Sequence, residues 1–232
     1  MNKTKPVNKK GFFVAFEGID GSGKSTQSVL FYKNLKKLGY PVFHTRPGES
    51  DKGMVSPVSR AIKKITHDPR NKHLIGVETE TLLYMAQASQ MISELISPCL
   101  DSGDIVVADR YLYSAYALCH YGRGIDWDLL RRIGNFVSGG LAPDVIVLTD
   151  LPARLAFERK EKAGKKLGRK ELMGPEFFEK VRQGFLKMAK EINPKKWLVV
   201  DDTNMSITEA EKYIWEAIYS KIVSRMGAIE NG

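Results

Sequence analysis

Residues Gly18-Ile19-Asp20-Gly21-Ser22-Gly23-Lys24-Ser25 satisfy the spacing G-x-x-x-x-G-K-[ST], a combination of residue types suited to holding phosphate. Glycines let a backbone wrap an anion and aim successive N–H groups at it. The lysine can neutralise β- and γ-phosphate oxygens, and the Ser25 hydroxyl can ligate Mg²⁺. Such a loop serves the binding of a nucleoside triphosphate. A second constellation, Asp109-Arg110-Tyr111, sets a carboxylate able to organise Mg²⁺ or its waters beside a guanidinium able to grip a phosphate with two hydrogen bonds.

These residues need elements that bring them to one edge. The apolar run at 12–16 predicts a buried strand directly before the loop, and 25–38 predicts a helix directly after it, closed by Gly39. That helix start adds a partial positive charge to the loop's amides. Further strands are predicted at 41–45, 105–108, 145–148 and 197–200, with Arg46, Asp109 and Asp150 at or just past strand ends. Helices are expected near 54–66, 112–120, 127–138, 152–162, 175–192 and 207–224, and a long one over 78–97 ended by Pro98. Alternating strands and helices imply an α/β domain with five parallel strands and helices on both faces. Ligands on such sheets bind at the carboxyl ends of the strands, where Gly18, Arg46, Asp109 and Asp150 gather.

At 232 residues the chain reads as one domain over 11–232 with a mobile lid at about 160–174. Met1 to Lys10 is basic, lacks the apolar segment of a secretory signal, and reads as a disordered tail. No apolar run approaches the roughly 18 residues that span a bilayer, so no membrane partner is expected. Cys99 and Cys119 fit no metal or redox spacing and suit a reducing, cytoplasmic compartment. The net charge of +9 is scattered, with one dense run from Arg154 to Lys170 and no aromatic-interleaved basic strands. A site for anionic small molecules explains it without nucleic acid.

In order and spacing the chain resembles the thymidylate kinase family over roughly residues 11 to 220. The segments that carry the resemblance are 16–27 around the loop, Thr45-Arg46, Asp109-Arg110-Tyr111 with Ser114, Gly122-Arg123-Gly124-Ile125-Asp126, Pro143-Asp144, and Arg169-x-Glu171 followed by Phe177-Phe178 and Arg182. The resemblance implies the P-loop NTPase fold and transfer of a phosphoryl group from Mg-ATP to a deoxynucleoside monophosphate. It places the ATP phosphates on the loop from Gly18 to Thr26 and the metal at Ser25 and Asp109. It sets Asp20, Arg46, Tyr84, Gln87, Arg110 and Ser114 about the acceptor. Lys24, Asp20, Arg110 and Arg169 become the catalytic set. Because Gly21-Ser22 stand where some relatives carry an arginine, the transition-state charge falls to the lid, with Arg154, Arg159, Lys165, Lys166 and Arg169 as candidates. The family also implies a homodimer, which the apolar side of the long helix, with Leu82, could serve.

Three departures fall in the acceptor pocket. Ala88 stands where the family has a base-reading arginine, Leu118-Cys119 replace a Tyr-Gln pair, and the segment after strand two is Arg46-Pro47-Gly48-Glu49-Ser50. Gln87, Gln90 and His120 are the residues with substitute hydrogen bonds to offer. Two alternatives stay open at this level. One is the same chemistry on another nucleoside monophosphate or on a nucleoside; the other is a non-catalytic nucleotide-binding module. Arg46 and Arg110 favour a phosphorylated acceptor, and their presence together with Asp20, Lys24 and Asp109 favours an enzyme.

Overall fold

Alternation along β1 (Phe12–Glu17) sets the architecture: all six residues are buried, so Phe12, Val14 and Phe16 face one side and Phe13, Ala15 and Glu17 the other. A computed structural model of the chain describes residues 10–51, 56–71, 73–164 and 169–228. Residues 1–9 of the expected tail at 1–10, and the lid residues Lys165 and Lys166, lie outside the described residues.

After β1 come α1 (Lys24–Lys37), β2 (Val42–Arg46), β3 (Glu49–Ser50), α2 (Pro57–His67), α3 (Val77–Met91), α4 (Ser97–Asp101) and β4 (Ile105–Asp109). The second half adds α5 (Leu112–Tyr116), α6 (Trp127–Ser138), β5 (Val145–Asp150), α7 (Ala153–Lys162), α8 (Gly174–Glu191), β6 (Trp197–Asp201) and α9 (Ile207–Met226). The sheet order is β3-β2-β4-β1-β5-β6. β1, β2, β4, β5 and β6 are parallel, as the sequence predicts. On one face Phe12, Val14 and Phe16 join Phe31, Leu35, Ile214, Ile218 and Ile222 of α1 and α9. On the other, Phe13 and Ala15 join Met85, Leu112, Phe178 and Phe185 from α3, α5 and α8. The carboxyl ends of β1 and β4, the site's two strands, are locked side by side by the register Phe16↔Asp109.

Two elements differ from expectation. A sixth, antiparallel strand pairs Thr45 with Ser50 and Arg46 with Glu49. Pro47-Gly48 makes the tight turn between them, with Gly48 at φ 77°, a conformation that suits glycine. The long helix does not end at Pro98. A π turn over Ile92–Ile96 precedes α4, which carries Pro98 in its first turn. Proline lacks the N–H of the α ladder and crowds the carbonyl four residues back, and a wider turn accommodates both faults.

Candidate active site

Backbone contact explains the loop's glycines. Gly18 (φ 143°) and Gly21 (φ 93°) lie so close to β5 and α7 that a Cβ would come within 2.6 Å of the Thr149 carbonyl oxygen and 2.5 Å of the Ala156 carbonyl oxygen. Ser22 ties the loop to β5 through a 2.7 Å hydroxyl contact with Thr149. α1 then begins at Gly23 with no side-chain cap and no acid in its first turn. The contrast with α6, capped by Asp126, and α9, capped by a Ser206–Glu209 box, is physical. Only α1 of these three leaves its N-terminal amides and dipole for an external anion. Ser25 and Thr26 are exposed at this start, while the Ile19 side chain belongs to the core, so Ile19 contributes backbone alone.

Across the sheet edge β4 delivers Asp109 and Arg110. Arg110 has φ 84°, a left-handed conformation uncommon for a residue with a side chain. Its guanidinium donates to the Gly18 carbonyl at 3.0 Å, to the Ser114 hydroxyl at 2.7 Å and to Asp20 at 2.5 Å. Lys24 Nζ stands 3.6 Å from Asp20 and 4.0 Å from Asp109. Burial alone would raise the Asp20 carboxyl's pKa, but Arg110 and Lys24 outweigh it and hold the group well below the usual carboxylate range. Beneath them Glu17, wholly buried, accepts from the Tyr111 amide at 2.8 Å and the Ser114 hydroxyl at 2.5 Å. Burial pushes its pKa up to about 7, against those hydrogen bonds and the Arg110 charge.

One side-chain atom in this cluster is left over. Asp109 Oδ1 is buried, 4.0 Å from Lys24 Nζ, and has no hydrogen-bond partner. A buried carboxylate oxygen without a partner is costly unless a ligand completes it. Facing the uncapped loop, it fits a hard cation or its bound water, with the Ser25 hydroxyl as the second protein oxygen.

A cavity of about 260 Å³ unites these groups with Arg46, Tyr84, Gln87 and Ser114. Arg46 lines it and pairs across the hairpin with Glu49, which Lys63 also contacts at 2.5 Å. Tyr84 offers its ring there while its hydroxyl donates to Glu80 at 2.8 Å. Ala88 and Leu118 line the same wall. His120 is instead held by the Ile125 carbonyl at 2.6 Å, and Gln90 pairs with Glu94, so neither lines the cavity.

The lid arginines are dispersed. Arg169 does not line the cavity: it is 2% exposed, pairs with Glu80 and donates to the Thr66 carbonyl at 2.8 Å. The physical reason is Glu80, a nearly buried acid on α3 that draws in both Arg169 and, at 3.2 Å, Arg123. Arg154 is exposed beside Glu158. Arg159 pairs with Asp202, whose carboxylate would lie 3.2 Å from a Cβ on Gly23. Arg159 is therefore the one of these three described arginines that reaches a group bordering the loop.

Sequence reasoning gave no role to Glu17, Glu80, His67 or Lys170. Glu80 and Tyr84 share a helix face at i, i+4, a spacing visible in the sequence. Lys170 lies with its Nζ 4.8 Å from the Tyr84 ring centroid and lines the cavity, as does His67. Burial, together with Lys170 and Lys63, presses the His67 pKa down to about 3, so a neutral imidazole faces the site.

A family model described as thymidylate kinase matches residues 16–214. The thymidylate kinase of Halothermothrix orenii is 36% identical over 219 residues, covering 92% of this chain and 97% of its own. That of Desulforudis audaxviator is 38% identical over 193 residues, covering 82% and 83%. Among solved structures, the thymidylate kinase from Ehrlichia chaffeensis aligns with a TM-score of 0.69 at 26% identity, covering 90% of this chain and 98% of its own. With a P-loop NTPase fold, a matching family model and relatives that align along nearly its whole length, this chain belongs to the thymidylate kinase family.

Proposed function

We propose that the protein transfers the γ-phosphoryl group of ATP to thymidine monophosphate, giving the diphosphate. One observation carries this reading: a single cavity joins the phosphate-binding loop to Arg46, Arg110 and the Tyr84 ring, so two anionic ligands can meet end to end. Phosphoryl transfer asks a protein mainly for positioning and charge neutralisation. The loop amides and Lys24 hold the donor phosphates. Arg110, braced by Asp20, Ser114 and the Gly18 carbonyl, and Arg46 hold the acceptor phosphate against Coulomb repulsion. Asp20 keeps Arg110 and Lys24 aligned and stands near the acceptor sugar. Mg²⁺, held by Ser25 and Asp109 when bound, supplies further charge neutralisation on the phosphate oxygens. Arg169 takes a positioning role through Glu80, and Arg159 stands as the arginine to test beside the donor.

A homodimer is part of this reading. The Met85, Met91, Ile92 and Leu95 side of the long helix is core, but Leu82 on α3 and Leu129 and Phe136 on α6 remain exposed, Phe136 at 85%. Their apolar area suits a second copy. Sedimentation at micromolar protein tests it, and a monomer there removes it. The buried thiols Cys99 and Cys119 suit a reducing, cytoplasmic setting; no helix among the described residues is long and apolar enough to cross a membrane.

The test of the activity is ADP release with Mg-ATP against a panel of nucleoside monophosphates and nucleosides. Turnover with thymidine monophosphate is expected. No turnover with any acceptor would remove the enzyme reading, and exclusive use of another base would remove thymidylate.

A further inference from the structure

Most polar groups lining the cavity around the Tyr84 ring already have hydrogen-bond partners. The Tyr84 hydroxyl donates to Glu80. The Tyr111 hydroxyl donates to the Leu141 carbonyl at 2.7 Å. The Ser114 hydroxyl donates to Glu17 and accepts from Arg110. Lys170, over the Tyr84 ring, acts electrostatically on Asp20. Ala88, Met91 and Leu118 are apolar. What remain are His67, whose Nδ1 already meets the Thr66 hydroxyl and the Lys63 carbonyl, and Gln87, which lines the cavity and is 4% exposed.

Gln87 is held in one orientation. Its Nε2 donates to the Ser59 backbone carbonyl of α2 at 2.8 Å. A carbonyl can only accept, so chemistry rather than convention decides which end of the amide points there. With one Nε2 hydrogen placed on Ser59, Oε1 is the amide's acceptor and is left for a donor on the ligand. From this geometry, and resting on the acceptor site proposed above, we propose that Gln87 reads the base through one ring N–H, with the surrounding apolar wall judging shape alone.

The consequence is a particular selectivity. Thymine and uracil both present an N3–H and satisfy Oε1. Cytosine presents an N3 lone pair, which would set acceptor against acceptor and leave both unpaired. A site built to pair with a donor strongly rejects a ligand lacking it, whereas an apolar wall discriminates a methyl group weakly. The enzyme therefore uses deoxyuridine monophosphate within about tenfold of thymidine monophosphate. It rejects deoxycytidine monophosphate and N3-methylthymidine monophosphate by roughly a hundredfold or more in kcat/KM.

The experiment is kcat/KM for these four monophosphates with the full chain and with Gln87→Leu, a thermal melt confirming that the variant folds. Gln87→Leu should compress the thymidine-to-N3-methylthymidine and thymidine-to-deoxycytidine ratios at least about tenfold, with the KM for ATP unchanged. Should that variant fail to fold, Gln87→Met, which keeps the length of the side chain, reads the same ratios. Ratios unmoved by the substitution, or efficient use of the N3-methylated substrate by the unaltered enzyme, would overturn the proposal while leaving the kinase reading standing. No turnover with any monophosphate would overturn that reading, and this inference with it.

Discussion

Arg110, at the end of β4, reaches across the sheet edge to the Asp20 carboxylate of the phosphate-binding loop, 2.5 Å away. The contact joins the two halves of the site, since the same carboxylate lies 3.6 Å from Lys24. It holds close together two cations that would otherwise repel one another.

That division of labour separates the two cations kinetically. Lys24→Ala should lower kcat by about 10³-fold or more, since the proposed role sets its charge on the phosphate being transferred. Arg110→Ala should raise the KM for the monophosphate and slow turnover, with kcat/KM for that substrate down about a hundredfold and the KM for ATP within twofold. Steady-state kinetics varying each substrate in turn distinguishes them. Unchanged monophosphate kinetics in Arg110→Ala would make that arginine structural.

In the proposed reading Glu49 competes with the acceptor phosphate for Arg46. It pairs with Arg46 and Lys63, which line the cavity and are both partly exposed. Exposed pairs of this kind are worth about 0–1 kcal/mol. Glu49→Gln should free both cations and lower the monophosphate KM by about two- to fivefold, most clearly at low salt.

Glu17 gives a pH signature in stability. Its folded pKa of about 7 lies above its ordinary 4.5. Between those values the folded state keeps a proton that the unfolded state has lost, so this group makes stability fall as pH rises. Its contribution is intact below about pH 4.5 and lost by about pH 7, a change of about 3 kcal/mol. Glu17→Gln stays neutral, so its stability relative to wild type should rise over that window. Urea denaturation of both proteins at several pH values measures it, and a constant difference would place the Glu17 pKa near its ordinary value.

Arg169 and Glu80 form a buried ion pair, shared with Arg123. Removing one member of such a pair strands a charge, at about 3–5 kcal/mol. Glu80→Ala should therefore cost about that much in urea denaturation. Arg169→Ala should change the monophosphate KM more than kcat. A loss of about 10³-fold in kcat with KM unchanged would instead place its guanidinium on the transferring phosphate.

Local chemistry determined much of this protein in its sequence. The loop from Gly18 to Ser25, the five apolar strands and the Asp109-Arg110 pair are patterns of neighbouring residues, and neighbours set strand period, turn geometry and helix start. The antiparallel strand at Glu49–Ser50 and the passage of the helix through Pro98 depended on pairing and on a π turn, neither of which short-range propensity encodes. The partners of the charged groups were decided only in three dimensions. Arg169 is 89 positions from Glu80 and Arg110 is 90 from Asp20, yet one is drawn inside while the other spans the cleft. A guanidinium settles where burial of its partner leaves the largest unpaired charge, and that burial is a property of the folded core.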